Sequence, residues 1–401
     1  MNEIGTKDGE GLTHQRAPTF RSRLIIHFGI FAVFVVLAEL LSYLIVEFFV
    51  MEKAAFLLYT PPQIDETAYK SYLAIRDPIL GWPTADALNS DRYDKSGSRP
   101  IPAFPTAGQE CVTLYGDSFT YGSDVSDEEA WGNLLAGQIG CRVGNFGVGG
   151  YGTDQALLRF QTNAMDGAIV SILGIHPHAI MRNVTQYFYL LAPQKVLSLA
   201  FKPRFISEGD SVRLIDLPSP NFSELHLLEG QVSQLLPYET FVPGNGIGPV
   251  PKRFPYLLVV INLLLHEKVQ NWLSDLPSWR NFLAAEHPSK ANQVTLGIIK
   301  QFFDECRIRD KKCLVIFFTT PSSYEYYLKS GQVVIGDLSL ELDKMNLPYI
   351  ALTPLIAKRL GRRSICEILS NTEGCTGHLN AEGNRIIADI VEDYIVLNAL
   401  R

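Results

Sequence analysis

Residues 24–46 limit the chain more than any other part of it. They read LIIHFGIFAVFVVLA through Ala38, with His27 as the only polar residue, and stay largely apolar after Glu39. About 23 such residues suffice for a helix to cross a hydrocarbon core of ~30 Å. Lipid offers no partner to a free amide, so a single spanning segment has to be helical. An ionised Glu39 at depth costs ~3 kcal/mol on insertion scales; it needs a neutral form, a partner or a place near the interface. Arg16, Arg21 and Arg23 precede the run, while Glu47 and Glu52 follow it. The positive-inside rule then puts residues 1–23 in the cytoplasm and the bulk of a single-pass protein in the periplasm or cell exterior. A cleaved signal peptide is the rival reading, but the run is long for one and no clean A-x-A site follows it.

The rest of the chain has the composition of a folded domain. Of 401 residues, 47% are hydrophobic and 19% charged, which excludes a disordered chain. A net charge of −7, from 35 basic and 42 acidic residues, argues against nucleic-acid binding. Six cysteines are too few for a small disulfide scaffold and lack the paired CxxC spacing of a zinc site. No metal or organic cofactor is indicated, and no protein partner is named by any motif.

Residues 54–110 carry many Pro, Asp, Ser and Gly and little helical periodicity, so 47–110 reads as a juxtamembrane arm. From residue 111 short apolar runs alternate with helical patterns. VTLY (112–115), RVGNFGV (142–148), AIVSILGI (168–175), LVIFFTT (314–320) and PYIALT (348–353) are strand-like. Helices are expected over 127–139, with acidic residues in the first turn, over 153–165, with Thr153 as N-cap, and over 381–397. Strands alternating with helices imply an α/β domain built on a mostly parallel, doubly wound sheet. Residues 193–288 interrupt the rhythm as an insertion. Its apolar run YLLVVINLLL (256–265) is too short to span a bilayer. It is expected to be a helix buried against the domain, with a place on the membrane near the anchor as the alternative.

Three short elements carry chemistry. YGDSFTYG (115–122) follows the first strand and puts Ser118 at the carboxyl edge of the sheet, where open α/β sheets bind ligands. Alone, GDS also describes an ordinary serine capping a helix. NFGVGGYGTDQ (145–155) holds a glycine-rich turn that frees the backbone to approach a ligand. It satisfies GxGxxG, but no acidic residue follows about 20 positions on to hold a ribose, so a dinucleotide is not expected. GHLNAEGN (377–384) opens the last helix with His378. A lone histidine is most often structural, yet a serine hydroxyl becomes a nucleophile only beside a base.

In this order and at these strand ends, the three elements resemble the SGNH/GDSL hydrolase superfamily, over residues 110–190 and 310–400. LGW (80–82) followed by SGSRP (96–100) resembles its membrane-anchored bacterial members. The resemblance implies a three-layer α/β/α flavodoxin-like fold with a five-stranded sheet. It implies Ser118 as nucleophile and His378 as general base, with an oxyanion hole from the N–H groups of Ser118 and Gly150. Asp117, His176 and His178 would support the site. Two positions depart from the family. Cys375 stands where an aspartate is usual, three residues before the histidine, so a Ser–His dyad or a backbone carbonyl as orienter is expected; Glu373 is nearby. In GIHPHAIMRN (174–183), His176 stands where the third block has its Asn, so His176, His178 or Asn183 would supply the missing oxyanion donor.

The resemblance also brings the cysteines into local pairs. Cys111 and Cys141 precede strands that are neighbours in this fold. Cys306 and Cys313 flank a turn, and Cys366 and Cys375 share the loop before His378. Three bridges would suit an exported domain, with six unpaired thiols as the alternative. A Cys366–Cys375 bridge would brace the loop carrying His378. The implied activity is ester hydrolysis or O-acyl transfer on acyl esters, with cell-envelope or exported glycans as substrates. The competing reading is a catalytically weakened glycan-binding or polysaccharide-export accessory domain.

Overall fold

A computed structural model describes residues 20–164, 166–193 and 199–398. Arg16 and the remainder of 1–19 lie outside them, as does Met165 at the end of the expected 153–165 helix.

Five strands form the central sheet: β1 (Glu110–Tyr115), β2 (Arg142–Asn145), β3 (Val170–Ile175), β4 (Lys312–Phe317) and β5 (Tyr349–Ala351). Their order is β2-β1-β3-β4-β5 and every pairing is parallel. This is the flavodoxin-like order, whose ligand crevice opens at the switch point between the first and third strands. Side chains alternate across the pleat. Val112, Leu114, Val170, Ile172, Leu314 and Ile316 enter one apolar core; Tyr115, Leu173, Ile175, Val315 and Phe317 enter the other. Both faces are therefore covered, which is why the strands read as nearly unbroken apolar runs.

The helices are taken in chain order. α1 (Phe20–Leu44) is the apolar N-terminal segment; with the turns after it, residues 23–53 are long and apolar enough to cross a membrane. The 54–110 stretch contains α2 (Glu66–Ile75), capped by Asp65, which accepts from Ala68 N at 2.8 Å. α3 (Ser118–Tyr121) follows β1, and α4 (Trp131–Ile139) leads to β2. α4 starts four residues later than its acidic prelude suggested. Asp127 instead pairs with buried Arg99 at 2.6 Å, and an aspartate so engaged is not free for a helix first turn. α5 (Thr153–Thr162) has Gly152, not Thr153, at its N-cap. α6 (Pro177–Arg182) follows β3. α7 (Tyr256–Leu265) and α8 (Glu267–Leu273) belong to the insertion, and α9 (Ala291–Ile308) returns the chain to β4. α10 (Leu352–Leu360) and α11 (Ala381–Leu397) close the domain. α5 and α9 pack on one face of the sheet; α4, α10 and α11 pack on the other.

The insertion is bound to both the sheet domain and the apolar N-terminal helix. Lys202, fully buried, pairs with buried Asp154 on α5 and donates to the carbonyls of Arg182 and Pro203 at 3.0 and 2.7 Å. α7 is not buried against the sheet domain, contrary to the first expectation. Only Val259 and Leu263 are buried, in a small core shared with Val46, Leu57, Leu58 and Val250 beside the anchor. The partner that Glu39 requires is also here: its carboxylate accepts from the N–H groups of Tyr256 and Leu257, the first turn of α7. All six cysteines are paired, as Cys111–Cys141, Cys306–Cys313 and Cys366–Cys375.

Candidate active site

β1 ends at Tyr115 and the chain turns at once. A Cβ on Gly116 would lie 2.0 Å from Thr120 Oγ1 and 2.7 Å from Gly174 O, so only glycine fits where β1 and β3 crowd the turn. Asp117 then caps α3, accepting from Phe119 N at 2.9 Å, and its second oxygen pairs with Arg182 at 3.0 Å. Burial raises the Asp117 pKa and the Arg182 charge opposes it. Ser118 is the first residue of α3, so its N–H is one of the helix donors without an intrahelical acceptor. Trp131 Nε1 fixes this turn by donating to Phe119 O at 3.1 Å.

His378 arrives from the other end of the chain on a short hairpin, Leu369–Asn371 paired with Thr376–Leu379. Its ring centroid lies 5.0 Å from that of Phe119, next to Ser118. Ser118 Oγ makes no hydrogen bond to His378 in this conformation. The ring is nonetheless oriented: Nδ1 lies 3.0 Å from Asp124 Oδ2, and the same oxygen accepts from His378 N at 3.2 Å and Ser370 Oγ at 2.8 Å. Partial burial opposes the Asp124 charge, but hydrogen bonds from Ser370 and His378 outweigh it and lower its pKa below the ordinary carboxylate value. Asp124 was not among the residues expected from sequence. It sits six residues after Ser118 and 254 before His378, in a left-handed turn (φ 70°) that aspartate tolerates. The Cys366–Cys375 bridge closes the same hairpin region.

The glycine-rich turn lies alongside. Asn145 Nδ2 donates to Thr120 O and Tyr121 O, tying β2 to α3. Gly150 has φ 82°, and Trp82 Nε1 donates to the neighbouring Gly149 O at 3.0 Å. Asn183 is not at this edge. It is fully buried, its Nδ2 donates to Thr295 Oγ1 at 2.8 Å and its Oδ1 accepts from Asp154 N, so no substrate reaches it.

His176 is differently placed. Its ring stacks on Phe119 at 4.1 Å, its Nδ1 accepts from His178 N at 3.3 Å, and its buried Nε2 has no partner among the described residues. Burial first, then the nearby charges of His178, Arg182 and His378, push its pKa well below the usual histidine value. A neutral imidazole accepting at Nδ1 carries its proton on Nε2. The His178 ring packs edge-on against His176 and Trp279, and burial, Arg182 and Lys268 bring its pKa down to about 3.

No family model matches the chain, and no curated protein matches it in sequence. Solved structures similar to it include a protein of the lipolytic G-D-S-L family from Desulfitobacterium hafniense DCB-2. That likeness has 10% identity and a TM-score of 0.34, and covers 70% of this chain and 97% of that one. A protein from Lactobacillus plantarum is similar at 10% identity and TM-score 0.34, over 73% of this chain and 99% of its own. A member of the lipolytic G-D-S-L family from Veillonella parvula DSM 2008 follows at 10% and 0.32, over 71% and 97%.

Proposed function

We propose that the chain is a membrane-anchored serine ester hydrolase or O-acyltransferase of the SGNH type, its domain on the outer side of the membrane. The observation that carries this reading is the Asp124–His378 contact beside the Ser118 turn, at the switch point of a parallel sheet. A carboxylate on Nδ1 fixes the tautomer whose Nε2 accepts a proton and stabilises the imidazolium that results. Serine–imidazole contacts are often loose without substrate and tighten in the complex.

Ser118 Oγ attacks the acyl carbonyl while His378 Nε2 takes its proton. The oxyanion is held by the N–H groups of Ser118 and Gly150; His176, at the sequence position of the family's third-block Asn, has a buried Nε2–H with no partner among the described residues and would join them once substrate binding opens that side of the ring. The C–O bond to the leaving alcohol breaks and the alcohol departs with the proton from His378. Water, or a sugar hydroxyl, then attacks the acyl-serine with His378 again as base. Family resemblance favours acyl groups of cell-envelope or exported glycans as substrates.

The burial of Asn183 favours a second reading, a glycan-binding domain that does not turn over. Hydrolysis of p-nitrophenyl acetate by the full-length protein in detergent, beside Ser118→Ala, separates the two. Loss of the rate in the variant supports the enzyme, and equal rates remove it.

A further inference from the structure

We infer that the insertion is a second membrane-embedded element, with α7 and α8 lying in the lipid of the outer leaflet against the anchor. The inference rests on the reading of α1 as spanning the membrane, and goes beyond it by placing residues 254–273 in lipid.

The outward surface of this part of the insertion is apolar where a water-facing helix would be polar. Leu258, Ile261, Leu264 and Leu265 are exposed on α7, and Phe254 just before it and Trp272 on α8 are 72% and 73% exposed. α7 packs against the anchor's outer end through the small core joining Val46 to Val259 and Leu263, and Phe48 and Phe49 of that end are exposed as well, so apolar surface carries on from one to the other in the chain's packing. The occupant follows from that continuity: whatever surrounds the anchor at this height also surrounds α7.

The depth is set by a hydrogen bond. A span of about 20 residues beginning at residue 24 ends near Leu44. Glu39 lies five residues before that end, about 7 Å inside the hydrocarbon at 1.5 Å per residue. Its carboxylate holds the first turn of α7 at that level. Glu47, on the turn that continues α1, pairs with Lys252 at 2.8 Å, so two of the three carboxylates within residues 23–53 are answered by the insertion. A peripheral helix standing in water would leave Glu39 without reason at that depth. Aromatic and aliphatic side chains on one face of a short helix at a bilayer boundary are the ordinary pattern of interfacial insertion.

Nitroxide accessibility on the full-length protein in phospholipid nanodiscs tests this. Every native cysteine is bridged, so a single added thiol takes the label. Leu258→Cys and Leu265→Cys report on α7, Val33→Cys on the anchor, and Leu340→Cys on an exposed face of the domain. The expected result is that labels at 258 and 265 collide with oxygen in preference to a nickel chelate, as at 33 and opposite to 340. Loss of Trp272 emission in brominated lipid, read against Trp272→Phe, gives the same answer without an added cysteine. Lipid-like behaviour at 33 with water-like behaviour at 258, 265 and Trp272 overturns the inference and leaves the anchor standing. Water-like behaviour at all of them, 33 included, overturns the anchor and the inference together.

Discussion

Replacing Asp124 by Asn keeps the size of the side chain and removes its charge. In the structure Asp124 Oδ2 meets three donors, two of them from His378. In the proposed mechanism its main electrostatic task is to stabilise the imidazolium formed when Ser118 is deprotonated. Two unit charges 4 Å apart attract by about 1 kcal/mol in bulk water and about 4 kcal/mol near a protein surface. The Asp124 side chain is 40% exposed, so the worth lies between those bounds. At about 1.4 kcal/mol per decade, Asp124→Asn should lower kcat by roughly 5- to 700-fold. That is less than the ~10⁴ lost with a buried triad aspartate. KM should hold, because Asp124 faces the ring and not the substrate. Steady-state hydrolysis of p-nitrophenyl acetate reads both parameters. In a Ser118→Ala background the second substitution should cost nothing further, since groups acting as one unit are not additive. Wild-type kcat in Asp124→Asn, with Ser118→Ala inactive, refutes the argument.

Four further outcomes are expected. His176→Ala should lose about 10²–10³ in kcat with KM unchanged, as for other oxyanion donors, while His176→Asn keeps most of the rate by restoring an amide donor; equal losses in both sink the assignment. Because burial keeps His176 neutral, the acid limb of the pH–rate profile of His176→Asn should stay at its wild-type position. Replacing Cys366 and Cys375 together by serine removes a bridge across nine residues, worth about 2.6 kcal/mol by chain-entropy arithmetic. Activity at 25 °C should fall as well as the thermal midpoint, because His378 rides on the same hairpin; a lower midpoint with full activity contradicts that. Lys202→Met should cost about 3–5 kcal/mol by leaving Asp154 charged and buried, and adding Asp154→Leu should recover much of it in thermal unfolding.

The sheet was legible because strands covered on both faces leave long apolar runs with little else in them. The Ser118 turn was legible because Gly116 has no sterically allowed substitute between Thr120 and Gly174. What escaped was whatever depends on distant segments meeting. Asp124 is an ordinary loop aspartate until the hairpin carrying His378 folds over it, 254 residues later. His176 and Asn183 cap the two ends of the same short helix, and counting along the chain cannot say which of them stacks on Phe119 beside Ser118 and which bonds Thr295. α7 escaped for another reason: ten apolar residues read alike whether protein or lipid covers them. α2 was missed because only Tyr69 on it is buried, too few apolar positions to set a period.

With the apolar N-terminal helix read as a membrane anchor, the two carboxylates that clasp the insertion to it change what kind of tether this protein has. A domain on a loose stalk sweeps a hemisphere and samples acceptors at many heights. A domain pinned by Glu39 to the first turn of α7, and by Glu47 to Lys252, is a bracket rather than a leash. On the proposed function, its reaction zone then sits at one distance from the bilayer, and a long polymeric substrate would be modified only over the few units passing that level.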